Sequence, residues 1–173
     1  MLFNHINQIM TILVKNKHTL EINGFKFKCS IGKKGSTYKK KEGDNKTPKG
    51  LFLIGNLYYR SDRILNPTTK LKKIKINNKM GWCDDTLYPK YYNRLIKIDN
   101  KIKHEKLFRK DHKYDLLILI KYNYLKPISG KGSCIFLHLT NTLKPTSGCI
   151  ALKKKDFIIL LKLIKRNTKI KIY

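Results

Sequence analysis

The most informative part of this chain reads Ile135-Phe136-Leu137-His138-Leu139 and, after a short polar segment, Pro145-Thr146-Ser147-Gly148-Cys149-Ile150-Ala151-Leu152. The apolar run at 134–137 has the length and composition of a strand buried on both faces. A polar loop follows, and the chain then returns through a second apolar run. We expect this strand, loop and returning strand to bring the side chains of His138 and Cys149 together.

A histidine close to a cysteine is an arrangement that activates a thiol. The imidazole accepts the thiol proton, and the resulting thiolate is a strong nucleophile. Gly148 lets the backbone approach a substrate closely, and the amides around Ser147, Gly148 and Cys149 are candidates for an oxyanion hole. From these residues alone, a structural role for the histidine and the cysteine stays open as the alternative.

Length and composition predict one mainly β domain. A chain of 173 residues fits a single domain, 1–173, and can bury a substantial core. Tyr, Phe and Ile are abundant whereas Ala151 is the only alanine, which favours strands over helices. None of the four cysteines belongs to a CxxC pair or to a cluster with zinc-ligand spacing, so no metal site is expected.

The net charge is extreme. Subtracting 11 acidic from 39 basic side chains leaves +28. Such a field attracts nucleic acid, an anionic membrane or an acidic polymer, although a lysine-rich composition also follows from an AT-rich genome. A non-enzymatic nucleic-acid-binding protein would need basic segments with interleaved aromatics, as in Tyr58-Tyr59-Arg60 and Tyr91-Tyr92. No recognised module surrounds them, and no nucleic acid is expected as a partner.

Strands and one helix are predicted along the chain. Asn23-Gly24 between two alternating segments is a strong hairpin signal. Apolar residues at helical spacing predict one amphipathic helix over 153–166, with Asn167 as its C-terminal cap. No segment is long enough for a transmembrane span, and residues 9–14 lack the flanks of a signal peptide. The predicted strands are 9–14, 19–22, 25–29, 51–54, 57–59 after an interruption at Gly55, 116–120, 134–137 and 170–172, while 32–50 reads as a loop and 61–111 is left unassigned.

The motifs together resemble a known enzyme family. The segments 135–138 and 145–152 are similar to the active-site signature of the L,D-transpeptidase (YkuD-type) catalytic domain. Thr47-Pro48-Lys49-Gly50-Leu51-Phe52 resembles the family's entry strand. Further segments resemble a bacterial subgroup with a Pro-Thr-x-Gly-Cys motif, namely Gly81-Trp82-Cys83-Asp84-Asp85, Tyr92-Asn93, His104-Glu105, Tyr114-Asp115, Tyr122-Asn123 and Gly132-Ser133.

The resemblance implies a YkuD-like domain of mixed sheets with one helix near the C-terminus, and a cysteine acyltransferase that needs no cofactor. Cys149 would attack a carbonyl of a peptidoglycan stem peptide. His138, its ring oriented by the backbone carbonyl of Leu139, would activate the thiol and later protonate the leaving D-alanine. The thioester would pass to an amine, most often that of diaminopimelate in a neighbouring stem. The implied location is the cell envelope or periplasm, although no signal peptide is visible.

Five residues are candidates for binding the stem peptide: Trp82, Asp84, His104, Tyr122 and Asn123. Each has a structural alternative, since a tryptophan commonly anchors a core and an aspartate commonly caps a turn. A hydrolase, either an L,D-carboxypeptidase or an amidase, is the alternative at the same site, because the acyl-enzyme is shared and only the acceptor differs. The sequence leaves the acceptor and the oligomeric state open.

Overall fold

The computed structural model describes residues 9–173. This part of the chain folds into short strands and one helix. In chain order they are β1 (Thr11–Lys15), β2 (Thr19–Ile22), β3 (Phe25–Ser30), β4 (Ser36–Thr37), β5 (Thr47–Pro48), β6 (Gly50–Tyr59), β7 (Lys73–Lys75), β8 (Met80–Cys83), β9 (Leu95–Lys97), β10 (His104–Lys106), β11 (Leu116–Ile120), β12 (Phe136–Leu139), β13 (Ile150–Leu152), α1 (Lys154–Leu163) and β14 (Lys169–Ile172). The mainly β fold with a single helix near the C-terminus is confirmed.

β2 and β3 form the predicted hairpin. Ile22 lies opposite Phe25 across the turn. Asn23 and Gly24 both adopt positive φ, 46° and 79°, as a type I′ turn requires. Because asparagine and glycine tolerate this conformation at little cost, the local sequence sets the register of the hairpin.

Nine strands form one sheet, and all of them except β7 close into a ring. Their order is β11-β12-β13-β3-β2-β1-β14-β6-β7, and a further pairing of β6 with β11 completes the ring. β6 reaches both neighbours because residues 50–53 pair with β14 and residues 54–59 pair with β11. The closure leaves β11, β12 and β13 side by side, and these three strands carry the site.

The sequence predicts a break at Gly55, but β6 runs through this position. The glycine instead serves packing, because a Cβ here would lie 3.1 Å from the side chain of Leu119 on β11. The unassigned region 61–111 also contains strands: β7 joins the large sheet, and β8, β9 and β10 form a separate sheet in the order β10-β8-β9. These strands are short, so their alternation is too brief to stand out in the sequence.

The central strands are buried on both faces, as their continuous apolar runs predict. Leu137 and Leu139 of β12 face a large apolar cluster that the helix also joins. Phe136, on the opposite face of β12, joins a smaller cluster that contains Trp82. His138 shares the face of Phe136, because alternate residues of a strand point to the same side.

The predicted strand at 134–137 is shifted in the structure, where β12 covers Phe136–Leu139. Cys134 has a φ of 53°, a left-handed conformation that cannot continue a strand, so pairing starts after it. The shift places His138 inside the strand and not at its end. The strand predicted at 9–14 is likewise displaced and begins at Thr11.

The helix is shorter than predicted and ends differently. It covers Lys154–Leu163 and is followed by Ile164 in an extended conformation (φ −79°, ψ 151°), so Asn167 is not its C-terminal cap. Ile164 is fully buried, as its place on the apolar face predicts, although it lies outside the helix. The Lys165 N–H then donates to Thr168 Oγ1 at 2.8 Å, which turns the chain into β14. No helix within residues 9–173 is long and apolar enough to cross a membrane.

Candidate active site

Parallel pairing of β12 with β13 sets the geometry of the site. His138 lies opposite Ala151, and Leu137 lies opposite Ile150. Cys149 directly precedes β13, and its Sγ accepts a hydrogen bond from the Phe136 N–H at 3.4 Å. The register therefore places Cys149 and His138 on one face, where both line a cavity of about 730 Å³.

His138 is held as a neutral base. The side chain is buried, and its Nδ1 lies 2.8 Å from the carbonyl oxygen of Leu139. Since a carbonyl only accepts, Nδ1 carries the proton and Nε2 keeps its lone pair. The ring of Tyr114 packs edge-on against the imidazole, with 5.5 Å between ring centres. Burial lowers the pKa of His138 to about 4, so the ring is uncharged at neutral pH.

The thiol of Cys149 is protonated at rest. Cys149 is only half-buried as a residue, but its sulfur lies against protein, and burial raises the pKa of the thiol to about 12. The S–H donates to the carbonyl oxygen of Cys134 at 3.1 Å. Within residues 9–173, Cys149 Sγ makes no hydrogen bond to His138, so the sulfur must turn from Cys134 towards the imidazole before the proton can move.

Two threonines fix the backbone around the cysteine. Thr146 Oγ1 donates to the carbonyl of Cys149 at 2.6 Å and accepts the Gly148 N–H at 3.1 Å. Thr47 Oγ1 donates to the carbonyl of Gly148 at 2.8 Å and accepts the Gly32 N–H at 2.9 Å. Of the amides predicted for an oxyanion hole, that of Gly148 is therefore occupied by Thr146 in this structure.

Gly148 also has a steric reason to be glycine. Its φ is 144°, and a Cβ at this position would lie 2.9 Å from the carbonyl oxygen of Lys46. A side chain here would push apart the loop that precedes β5 and the turn that carries Cys149. Ser147 is exposed and lines the cavity.

Thr47→Val removes the buried hydroxyl while keeping the side-chain shape. We expect a loss of about 1–3 kcal/mol in the free energy of unfolding, because the Gly32 N–H and the Gly148 carbonyl lose their shared partner. Chemical denaturation measures this loss. Thr86→Val is the control, because Thr86 is exposed. Equal stability of the two variants would show that the Thr47 hydrogen bonds do not hold the turn.

His138 makes stability depend on pH. Its pKa is about 4 in the folded chain and near 6.5 in an unfolded one, so the unfolded state binds more protons below pH 6.5. The stabilisation from neutral His138 is complete above pH 6.5. It decreases as the pH falls and is lost once the pH is below about 4. At pH 5 the deficit is about 2 kcal/mol. Denaturation at pH 7 and pH 5 should show a drop larger by this amount in the wild type than in His138→Gln. Parallel drops would contradict the low pKa.

The cavity contains charged groups of both signs. Glu42, Asp84 and Glu105 contribute carboxylates. Asp84 pairs with Lys103 at 3.3 Å and Glu105 pairs with Arg109 at 2.8 Å. The cavity is therefore suited to a polar ligand that itself carries charge.

Lys113 and Lys144 differ from the other basic residues of the cavity. Both line it, and neither side chain makes an ion pair or hydrogen bond within residues 9–173. Lys113 has a fixed position beside the imidazole, because its carbonyl accepts the Leu139 N–H at 2.9 Å. Its charge contributes to lowering the pKa of His138, although burial contributes more. A free cationic group, that of Lys113, therefore lies on the His138 side of the cavity.

Of the five candidate substrate-binding residues, only Asp84 lines the cavity. Trp82 is a core residue: it is 1% exposed, and its indole N–H donates to Asn93 Oδ1 at 2.9 Å. His104 is turned to the backbone, with Nδ1 2.7 Å from the Ile102 carbonyl oxygen. The two side chains therefore make structural contacts from β8 and β10 and do not line the cavity.

Tyr122 and Asn123 also have structural contacts in place of cavity contacts. The Tyr122 hydroxyl donates to the carbonyl of Lys131 at 2.6 Å. The Asn123 amide donates to the carbonyls of Ile128 and Gly132 at 3.0 and 2.9 Å. These hydrogen bonds order the loop that leads to Cys134 and β12. Tyr122 and Asn123 therefore stabilise the backbone that precedes the site.

Two cavity residues belong to the quoted motifs but were not predicted as site residues. Glu105 and Tyr114 line the cavity, whereas their motif partners His104 and Asp115 do not. Asp115 pairs with Arg63 at 2.8 Å. The quoted motifs therefore indicate the right region, but the tertiary structure decides which member of each pair lines the cavity. His104 and Glu105 alternate on β10, whereas Tyr114 and Asp115 lie in the turn before β11.

The segments considered for nucleic-acid stacking are mostly buried. Tyr58, Tyr59 and Arg60 are 4%, 6% and 4% exposed, and Tyr92 is fully buried. Tyr91 alone among them is substantially exposed, at 41%. Base stacking needs accessible aromatic faces, so these segments do not offer a binding platform.

The sequence matches the family model of the L,D-transpeptidase catalytic domain (YkuD) over residues 5–172. The chain belongs to this family. L,D-transpeptidase-family proteins are enzymes that act on peptidoglycan. Comparison with curated proteins gave no match.

One solved structure supports the fold, and two others show weaker similarity to this chain. The helical cell shape determining protein Pgp2 from Campylobacter jejuni is 18% identical with a TM-score of 0.51, over 95% of this chain and 47% of that one. Bd1075 of Bdellovibrio bacteriovorus is 18% identical with a TM-score of 0.47 and the same coverage. L,D-transpeptidase 1 of Mycobacterium tuberculosis is 11% identical with a TM-score of 0.36, over 95% of this chain and 60% of that one. This L,D-transpeptidase domain thus spans about half the length of the first two.

Proposed function

We propose that this protein is a cysteine-dependent L,D-transpeptidase that acts on peptidoglycan stem peptides through a thioester acyl-enzyme. The observation that carries the proposal is the placement of Cys149 and His138 on one wall of the cavity, with Nδ1 of the imidazole anchored on the Leu139 carbonyl. This anchor leaves Nε2 as the proton acceptor. Membership of the family supplies the substrate class.

The reaction has two stages. Cys149 gives its proton to His138 Nε2 as the sulfur attacks the carbonyl of a stem-peptide bond, and a tetrahedral intermediate forms. His138 returns the proton to the nitrogen of the departing D-alanine as the carbon–nitrogen bond breaks and the thioester remains. In the second stage an amine attacks the thioester carbon, loses a proton to His138, and expels the sulfur, which recovers that proton.

The pKa values of Cys149 and His138 before substrate binds indicate that the proton moves during the attack, and that no thiolate–imidazolium ion pair forms beforehand. With the pKa of Cys149 near 12 and that of His138 near 4, a thiolate beside an imidazolium is strongly disfavoured before substrate binds. The developing positive charge on sulfur during attack makes the thiol proton more acidic. The same low pKa makes the imidazolium, once formed, a strong acid towards the leaving amine.

Lys113 and Lys144 are suited to bind the carboxylate of the departing residue. Lys113 lies on the His138 side of the cavity, where the leaving nitrogen must be to receive its proton, and Lys144 is the other cavity lysine whose side chain makes no ion pair or hydrogen bond within residues 9–173. Lys113→Ala and Lys144→Ala should each raise KM about five- to tenfold for a tetrapeptide with a free C-terminus. The C-terminal amide of the same peptide should show little change. Steady-state kinetics measure both, with Lys126→Ala, which removes an exposed lysine outside the cavity, as the control. Equal effects on acid and amide would contradict the assignment.

Product analysis tests the proposed function. Purified protein is incubated with disaccharide tetrapeptide, and the products are separated and identified by mass spectrometry. A cross-linked dimer with release of D-alanine is expected. Tripeptide alone would identify water as the acceptor and the protein as a carboxypeptidase, and an unchanged substrate with no adduct on Cys149 would overturn the proposal.

A further inference from the structure

The exposed side of the helix carries two isoleucines among lysines. Ile158 and Ile159 are each 41% exposed. Lys154 and Lys162 lie one turn before and one turn after Ile158, and Lys155 lies one turn before Ile159. All three lysines are exposed. These five residues are called the α1 face.

Positive charge continues beyond both ends of the helix. Residues 153–166 contain six basic side chains and one acidic side chain, Asp156. Lys153, Lys165 and Arg166 are exposed and flank the α1 face. The surroundings of the two isoleucines are therefore strongly cationic, and an anionic partner is the complement of this surface.

The opposite side of the helix fixes the α1 face outwards. Phe157, Leu160 and Leu161 are buried in the large apolar cluster, so the helix cannot roll to cover its exposed isoleucines. The described cavity is lined by other elements, and no α1 residue contributes to it. A partner on the α1 face would leave the cavity accessible.

We propose that the α1 face docks on an anionic lipid bilayer. The lysine ammonium groups pair with lipid phosphates, and the two isoleucines enter the boundary between headgroups and acyl chains. A soluble polyanion would engage the lysines but leave both isoleucines in water. Nucleic acid is also less well matched, because the α1 face has no aromatic ring for a base to stack on. This docking is independent of the chemistry in the cavity.

Co-sedimentation of the whole chain with vesicles tests the proposal. Binding is expected at physiological salt to phosphatidylcholine vesicles that contain about one third phosphatidylglycerol, and not to pure phosphatidylcholine. Two variants alter the α1 face: Ile158→Ser with Ile159→Ser, and Lys154→Gln with Lys155→Gln and Lys162→Gln. Each is expected to weaken binding at least about tenfold.

Two control variants make equivalent changes elsewhere on the surface, and both should bind within about twofold of the wild type. One replaces exposed lysines and the other exposed leucines: Lys72→Gln with Lys75→Gln and Lys79→Gln, and Leu65→Ser with Leu87→Ser. An equal loss in the control lysine variant would overturn the proposal in favour of non-specific charge. Undiminished vesicle binding of the isoleucine variant would also overturn it, because the lysines alone would then account for the contact.

Fluorescence gives a second readout that reports position. Ile159→Trp adds an indole on the α1 face, whereas Trp82, the native tryptophan, is buried and serves as background. Its emission should shift to the blue on anionic vesicles. An unshifted emission from protein that sediments with the vesicles would place the contact elsewhere and overturn the proposal.

Discussion

Cys149→Ala is expected to abolish formation of the acyl-enzyme and to lower the rate of D-alanine release by at least about 10⁴-fold. Alanine has no sulfur with which to form a thioester at the turn before β13, and the thiol of Cys134, which also lines the cavity, is directed to the Trp82 carbonyl oxygen. Release of D-alanine from a stem tetrapeptide, followed by chromatography, measures the effect. Cys149→Ser should also be severely impaired, because a hydroxyl is harder to deprotonate than a thiol and is a weaker nucleophile.

Cys134→Ala is the matched control for the cysteine variants. Cys134 lines the same cavity, and its backbone carbonyl, which accepts the Cys149 S–H at 3.1 Å, is kept when the side chain is shortened. We expect this variant to retain activity within about tenfold of the wild type. Loss of activity in Cys134→Ala with full activity in Cys149→Ala would show that Cys134, and not Cys149, is the nucleophile.

His138→Gln is expected to lower the rate of acylation by about 10²–10⁴-fold. Glutamine is close to histidine in size but cannot accept and return a proton. The wild-type rate should fall as the pH drops through about 4, because protonation of Nε2 removes the base. This acidic limb should be absent from the residual activity of the variant. Stopped-flow acylation at a series of pH values measures both effects.

His18→Gln is the control for the histidine variant, because His18 is exposed and lies outside the cavity. Its pH profile should coincide with that of the wild type. If the His138→Gln enzyme keeps the acidic limb, another group must supply the base. The Leu139 carbonyl would then have no role in orienting the catalytic base.

Local chemistry made part of the fold predictable. The Asn23-Gly24 turn and the apolar run of β11 each contain their full signal within a few residues. The end of the helix was not predictable in this way, because Ile164 continues the apolar periodicity and is buried, yet its backbone is already extended. β8, β9 and β10 were missed because three or four residues are too few to display alternation.

The same difference between local and tertiary signals applies to the site residues. The prediction that His138 and Cys149 converge rests on a strand, a loop and a return, all contained in one short segment, and the structure places both residues in one cavity. Trp82 and His104 come from a distant segment, and only tertiary pairing decides which way their side chains point. Lys113 and Lys144 had no signal at all, because lysines are found throughout this chain.

Intact-protein mass spectrometry of the wild type after brief exposure to disaccharide tetrapeptide tests the central claim most directly. The proposed mechanism predicts one added mass equal to the substrate minus D-alanine, carried by the peptide that contains Cys149 and removed by hydroxylamine. An unmodified protein in the presence of released D-alanine, or an adduct on any other residue, would contradict it.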